Sequence, residues 1–99
     1  MAETTYDILI SDSAMQDLKN LRAFDRSGIF EAMDEHLAHE PTKESKSRIK
    51  KLAQPAISQY RLRVGDYRVY YDVEESVHRV LVMQVFEKGR STTPKKGES

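Results

Sequence analysis

The chain has no cysteine. That removes disulfide scaffolds, thiolate zinc sites and cysteine nucleophiles from consideration, and it agrees with a reducing cytoplasm. No apolar run approaches the roughly 18 residues of a membrane span. At the N-terminus, MAETTYDILI places acid before its apolar stretch, the wrong order for a signal peptide. Glycine-rich phosphate loops, Ser-His-Asp order and zinc motifs are all missing. The three histidines offer little: His36 and His39 stand three apart on a helical pattern with no third ligand suggested, and His78 lies in a turn. They read as surface histidines. Net charge is also lacking, with 16 basic and 16 acidic residues in 99.

That neutrality hides a division. Residues 1–45 hold ten acids and four bases, and residues 46–99 hold twelve bases and six acids. The first part is therefore −6 and the second +6. Such asymmetry points to a basic working face and an acidic remainder, with an ordinary mixed surface as the plain alternative. The length fits one domain with a modest core.

Tyr6 to Leu9 reads as a first strand. Ser13-Ala14-Met15-Gln16 matches a capping box. Ala14, Leu18 and Leu21 then form the apolar stripe of a helix ending near Ala23 or Phe24. Asp25 or Ser27 caps a second helix with Ile29, Phe30, Met33 and Leu37 on its stripe. Pro41 disfavours helical geometry at Glu40 and stops it. Two short-linked amphipathic helices need another layer to cover their apolar faces. Residues 42–55 are basic and read as a loop, with a short helical turn allowed.

The period then changes to two. Gln59–Val64, Tyr67–Val73 and Arg79–Phe86 are three strands of a meander. Gly65-Asp66 is a two-residue hairpin turn, with glycine taking the positive φ of its first position. This register sets Val64 against Tyr67, Arg63 against Arg68, Leu62 against Val69, Arg61 against Tyr70 and Tyr60 against Tyr71. Side chains alternate between faces. One face carries Tyr60, Leu62, Val64, Tyr67, Val69 and Tyr71 and should meet the helices. The other carries Arg61, Arg63, Arg68 and Tyr70. Like charges directly across a strand pair are destabilising, and guanidinium forks match phosphate. Either an anionic partner neutralises this face, or Asp66, Asp72 and Glu87 pair with the arginines. Tyr70 suits nucleotide stacking, though strand tyrosines also simply pack. Lys88 and Arg90, after the last strand, extend the patch or form a solvated strand end. The tail from Ser91 has no apolar residue and reads as mobile. The expected organisation is an α+β domain over residues 1–91 with a polar tail at 92–99.

A strand, a helical hairpin, a basic loop and a meander containing YRLRVGDYRVYYDV and closing on VLVMQVFEKGRS resemble the RelE/ParE superfamily of bacterial toxins over about residues 4–91. The most specific stretch is the Tyr-Arg-Leu-Arg-Val-Gly-Asp-Tyr-Arg-Val run at 60–69. The resemblance implies a small mixed or antiparallel four-stranded sheet packed on two helices. It implies the toxin of a type II toxin–antitoxin pair, a metal-independent endoribonuclease that enters the ribosome and cuts mRNA, and a neutralising antitoxin partner. In that chemistry the RNA 2′-hydroxyl attacks the adjacent phosphate, and basic side chains stabilise the crowded anionic phosphorane. Arg61 and Arg63 stand where RelE has paired lysines. Arg68 matches the arginine of the Tyr-Arg pair, and Lys88 or Arg90 the basic residue after the last strand. Lys50, Lys51 and Tyr70 are expected to bind substrate.

The chain also departs from that pattern. Arginine stays protonated, so neither Arg61 nor Arg63 is a general base. The C-terminal tyrosine of many RelE toxins is replaced by Thr92, Thr93 and Pro94. Tyr70, Glu87 and Lys88 remain the base candidates. ParE-type members share the fold, lack the nuclease residues and act on DNA gyrase, which is the alternative reading. A non-catalytic member that binds antitoxin or RNA is a third.

Overall fold

A computed structural model of the chain describes residues 5–87. Lys88, Arg90 and the 92–99 tail therefore lie outside the described residues. The elements in order are β1 (Asp7–Ile10), α1 (Asp12–Lys19), α2 (Ala23–Ala32), β2 (Ile49–Lys51), β3 (Tyr60–Val64), β4 (Tyr67–Glu74) and β5 (Arg79–Glu87). They form one five-stranded sheet in the order β1-β5-β4-β3-β2. Only β1 and β5 are parallel; the remaining pairs are antiparallel. The α+β class expected from the sequence is the observed one. The strand count is corrected from four to five, because Ile49–Lys51, read as loop, pairs with β3.

The hairpin has the register that alternation dictates, from Val64 against Tyr67 to Tyr60 against Tyr71. Gly65 holds φ +56°, where a side chain would be strained. The inner face packs on the helices as expected. Leu62, Val69 and Tyr71 are fully buried, and Tyr60, Val64 and Tyr67 are partly buried against the same core. Ala14 and Leu18 of α1, Ile29 of α2, and Met33 and Leu37 of the π-helical turn that follows (Met33–Leu37) complete it. Burying each large apolar side chain contributes roughly 1.5–3 kcal/mol.

The helix ends differ from the local sequence signals. The cap of α1 is Ser11, not Ser13: its hydroxyl accepts from the Ala14 N–H at 3.1 Å and donates to the Met83 carbonyl at 2.8 Å. Tertiary bonding decides between two equivalent serines, since Ser11 also donates its backbone N–H to Val82. The first helix stops at Lys19, short of Leu21, where Arg26 Nη1 reaches back to the Leu18 and Leu21 carbonyls at 3.3 and 3.1 Å. The second starts at Ala23 with no side-chain cap. Asp25 sits in its first turn, where a carboxylate suits the positive end of the helix, and accepts from the Tyr67 hydroxyl at 3.0 Å.

The sheet register shifts between Tyr70 and Tyr71, which leaves Met83 with no residue opposite it on β4. This bulge moves the buried phase of β5 from Val80 and Val82 to Val85. Beyond the end of β1, helix α1 takes over the exposed edge of β5, with Asp17 Oδ2 accepting from the Val85 N–H at 3.0 Å. None of the described helices is long and apolar enough to cross a membrane.

Candidate anion-binding face

The helices cover only one face of the sheet. On the other, strand register lines up two rows of side chains across four strands. The first is Lys50, Arg61, Tyr70 and Gln84. The second is Arg63, Arg68 and Phe86, extended onto the residue before β2 by the Arg63 N–H to Arg48 carbonyl bond of 2.8 Å. Neither row contains a carboxylate or a histidine.

The register thus brings Arg61, Arg63, Arg68, Tyr70 and Lys50 together. Arg63 and Arg68 are direct cross-strand partners, an arrangement that costs stability unless the charge is neutralised. Among the described residues no ion pair joins a carboxylate to Arg61, Arg63 or Arg68, whereas Arg22–Asp25, Lys43–Glu40 and Arg79–Glu74 do pair. Asp72 is engaged by the Gln59 N–H at 2.7 Å. The buried Nε of Arg61 has no acceptor, an uncommon condition for a buried donor. Burial, and then the positive charges of Arg61 and Arg63, push the pKa of Arg68 below its ordinary value, against a smaller opposing pull from Tyr70 and Asp66. Arg68 Nη1 donates to the Tyr67 carbonyl at a long 3.4 Å. Partly desolvated guanidinium groups held side by side form a site for an anion.

Tyr70 and Phe86 border the arginines as an edge-to-face pair, with ring centroids 5.5 Å apart. Lys51 does not join them. It pairs with Tyr60 and is therefore on the helix-facing side, where it borders a different cavity with Gln59, Tyr60 and Val73. Sequence reading missed two members of the face. Phe86 stands opposite Arg68 only because of the bulge, and Arg48 is aligned only by β2 pairing. The charge run from Lys46 to Lys51 was the available signal. His36 and His39 gain no third metal ligand among the described residues.

The family model for the ParE toxin of type II toxin–antitoxin systems, parDE, matches residues 8–91. Curated protein sequences gave no match. Among solved structures, the fold is similar to the RelBE2 toxin–antitoxin complex of Mycobacterium tuberculosis, with TM-score 0.76 and 21% identity over 88% of this chain and 95% of that one. It is similar to the archaeal RelE–RelB complex of Pyrococcus horikoshii, with TM-score 0.71 and 28% identity over 88% and 99%. The isolated RelE toxin of E. coli gives TM-score 0.65 and 19% identity over 87% of each chain. With 84 contiguous positions matched and the strand–hairpin–meander architecture in place, the chain belongs to the RelE/ParE superfamily of type II toxin–antitoxin toxins.

Proposed function

We propose that this toxin inhibits translation as a ribosome-dependent mRNA endoribonuclease, with Arg61, Arg63 and Arg68 holding the scissile phosphate. The observation that carries this reading is the set of three adjacent guanidinium groups, none of them in an ion pair with a carboxylate among the described residues, together with the orphaned Arg61 Nε. During cleavage the RNA 2′-oxygen bonds to phosphorus and the bond to the 5′-oxygen breaks. The hydroxyl proton leaves the nucleophile, and a proton reaches the departing oxygen. Negative charge builds on the non-bridging oxygens, where fixed cations act most strongly. Tyr70 stacks on a neighbouring base. Lys88 and Arg90 are assigned to the same phosphate or to ribosomal RNA from their place after β5. The partner is a cognate antitoxin whose acidic segment folds onto the basic surface. An antitoxin partner is supported by the M. tuberculosis and P. horikoshii relatives, which are toxin–antitoxin and RelE–RelB complexes.

Primer extension on a reporter mRNA in a translating extract tests the activity. New 5′ ends within the translated frame, absent when ribosomes are withheld, are the expected result. Intact mRNA in the presence of folded toxin refutes it. The second reading, inhibition of DNA gyrase, is favoured by the match to the ParE model and by the lack of any carboxylate or histidine in the two rows. General acid–base groups are each worth roughly 100- to 10,000-fold. A gyrase inhibitor stops supercoiling in vitro and leaves mRNA whole.

A further inference from the structure

Beside the arginine rows lies a groove of about 300 Å³, formed by the 44–48 loop, β2 and β3. Lys46, Arg48, Lys50, Arg61 and Arg63 line it, with the Ser45 and Ser47 side chains between them. Lys46, Arg48 and Lys50 are exposed, and no described carboxylate forms an ion pair with them. The one acid in the lining, Glu44, accepts from the backbone N–H of Lys51 at 3.3 Å. Arg61 and Arg63 form the wall shared between this groove and the Arg68–Tyr70 side.

Charge arithmetic decides what such a surface fits. Arg48, Lys50, Arg61, Arg63 and Arg68 carry five positive charges across three neighbouring strands. One phosphodiester carries one negative charge and leaves the rest unneutralised. The span from β2 to β4 is two strand spacings, about 10 Å, which is more than a single phosphate covers. We propose that this groove is a second phosphate subsite, so that single-stranded RNA crosses the sheet with successive phosphates on the Arg61–Arg63–Arg68 cluster and on Lys46, Arg48 and Lys50. This rests on the RNA-cleaving reading and adds the direction and length of the bound strand. Past the arginines the rows carry Tyr70 on β4 and Phe86 on β5. Aromatic faces there favour a nucleic acid strand over an acidic peptide, because bases stack on them.

The test is fluorescence anisotropy of the full chain with labelled 2′-O-methyl oligoribonucleotides, which cannot be cleaved, over a salt series. A hexanucleotide is compared with a dinucleotide that has a single phosphodiester. For the hexanucleotide, the Arg48→Gln/Lys50→Gln double variant is expected to bind about tenfold more weakly. Its slope of log affinity against log salt should fall by about 0.7 for each phosphate lost. Dinucleotide binding should fall by a much smaller factor in the double variant and stay unchanged in Lys46→Gln. Lys46→Gln, at an exposed loop position, should shift the hexanucleotide in the same direction and serves as the second variant. Wild-type hexanucleotide affinity and slope in both variants, with binding still lost in Arg68→Ala, overturn the second subsite and leave the cleavage reading standing. No hexanucleotide binding by the wild-type chain at low salt overturns the subsite, and cleavage in the translating extract then judges the parent reading alone. A polyglutamate peptide that competes through Arg48 and Lys50, while RNA does not bind there, also overturns it.

Discussion

The two faces of the β3–β4 hairpin come from alternate residues of one continuous run, yet they follow opposite rules. On the inner face Leu62, Val69 and Tyr71 exclude water completely, and the Tyr71 hydroxyl donates to the Pro41 carbonyl at 2.6 Å. On the outer face Arg61, Arg63 and Arg68 are held against one another with no ion-paired carboxylate among the described residues, and the buried Arg61 Nε has no acceptor there. The first face lowers the free energy of the folded chain. The second raises it slightly and holds that unfavourable arrangement in place for a ligand. Stability and function are therefore separable by parity along the strand. A substitution at an even position of β3 or an odd position of β4 tests packing, and the opposite parity tests binding.

The largest effect expected is at Leu62. Truncation to alanine leaves a cavity beneath β3 in the core and should cost about 2–5 kcal/mol in urea unfolding. A loss under 1 kcal/mol breaks the assignment of Leu62 to the core. Tyr71→Phe comes next. It leaves the Pro41 carbonyl without its buried donor, at a cost of about 1–3 kcal/mol, measured the same way.

The same hydroxyl shapes the pH profile. Burial, and then the neighbouring Tyr60, push the Tyr71 phenol above its ordinary value near 10. A raised phenol pKa means that the fold binds the proton more tightly than the unfolded chain does. Its contribution is complete below about pH 10 and is lost as pH rises beyond that. Tyr67, desolvated and bonded to Asp25, and Tyr6, bonded to Glu75, shift in the same direction. Unfolding midpoints should therefore fall above pH 10, and the fall should be shallower in Tyr71→Phe. An identical slope in both proteins contradicts the burial argument. The smallest effect on stability is expected at Arg68→Ala, where lost packing and relieved like-charge repulsion nearly cancel within about 0.5 kcal/mol.

The hairpin was legible in the sequence to the residue, because period-two alternation and Gly65-Asp66 each fix the same register. The arginine face follows from that register alone. Strand β2 was not legible. Ile49, Lys50 and Lys51 contain one apolar residue, too few to show a period, and the strand exists because its backbone bonds to β3. Without it, Lys50 and Lys51 looked equivalent, whereas pairing sends them to opposite faces. Phe86 was hidden by the bulge at Met83, which changes the phase of β5 midway. Ser11 and Ser13 offer the same local cap chemistry, and only contact with Val82 and Met83 separates them. Local pattern thus fixed what lies within one hairpin, and tertiary pairing fixed what lies between hairpin, loop and edge.

The most direct test of the division between faces is Arg68→Ala read in two ways on the same protein: growth arrest on induction without antitoxin, and urea unfolding of the purified chain. The expected result is loss of growth arrest with the unfolding midpoint unchanged. Full toxicity in a folded Arg68→Ala chain would contradict the assignment of the arginine face as the working surface.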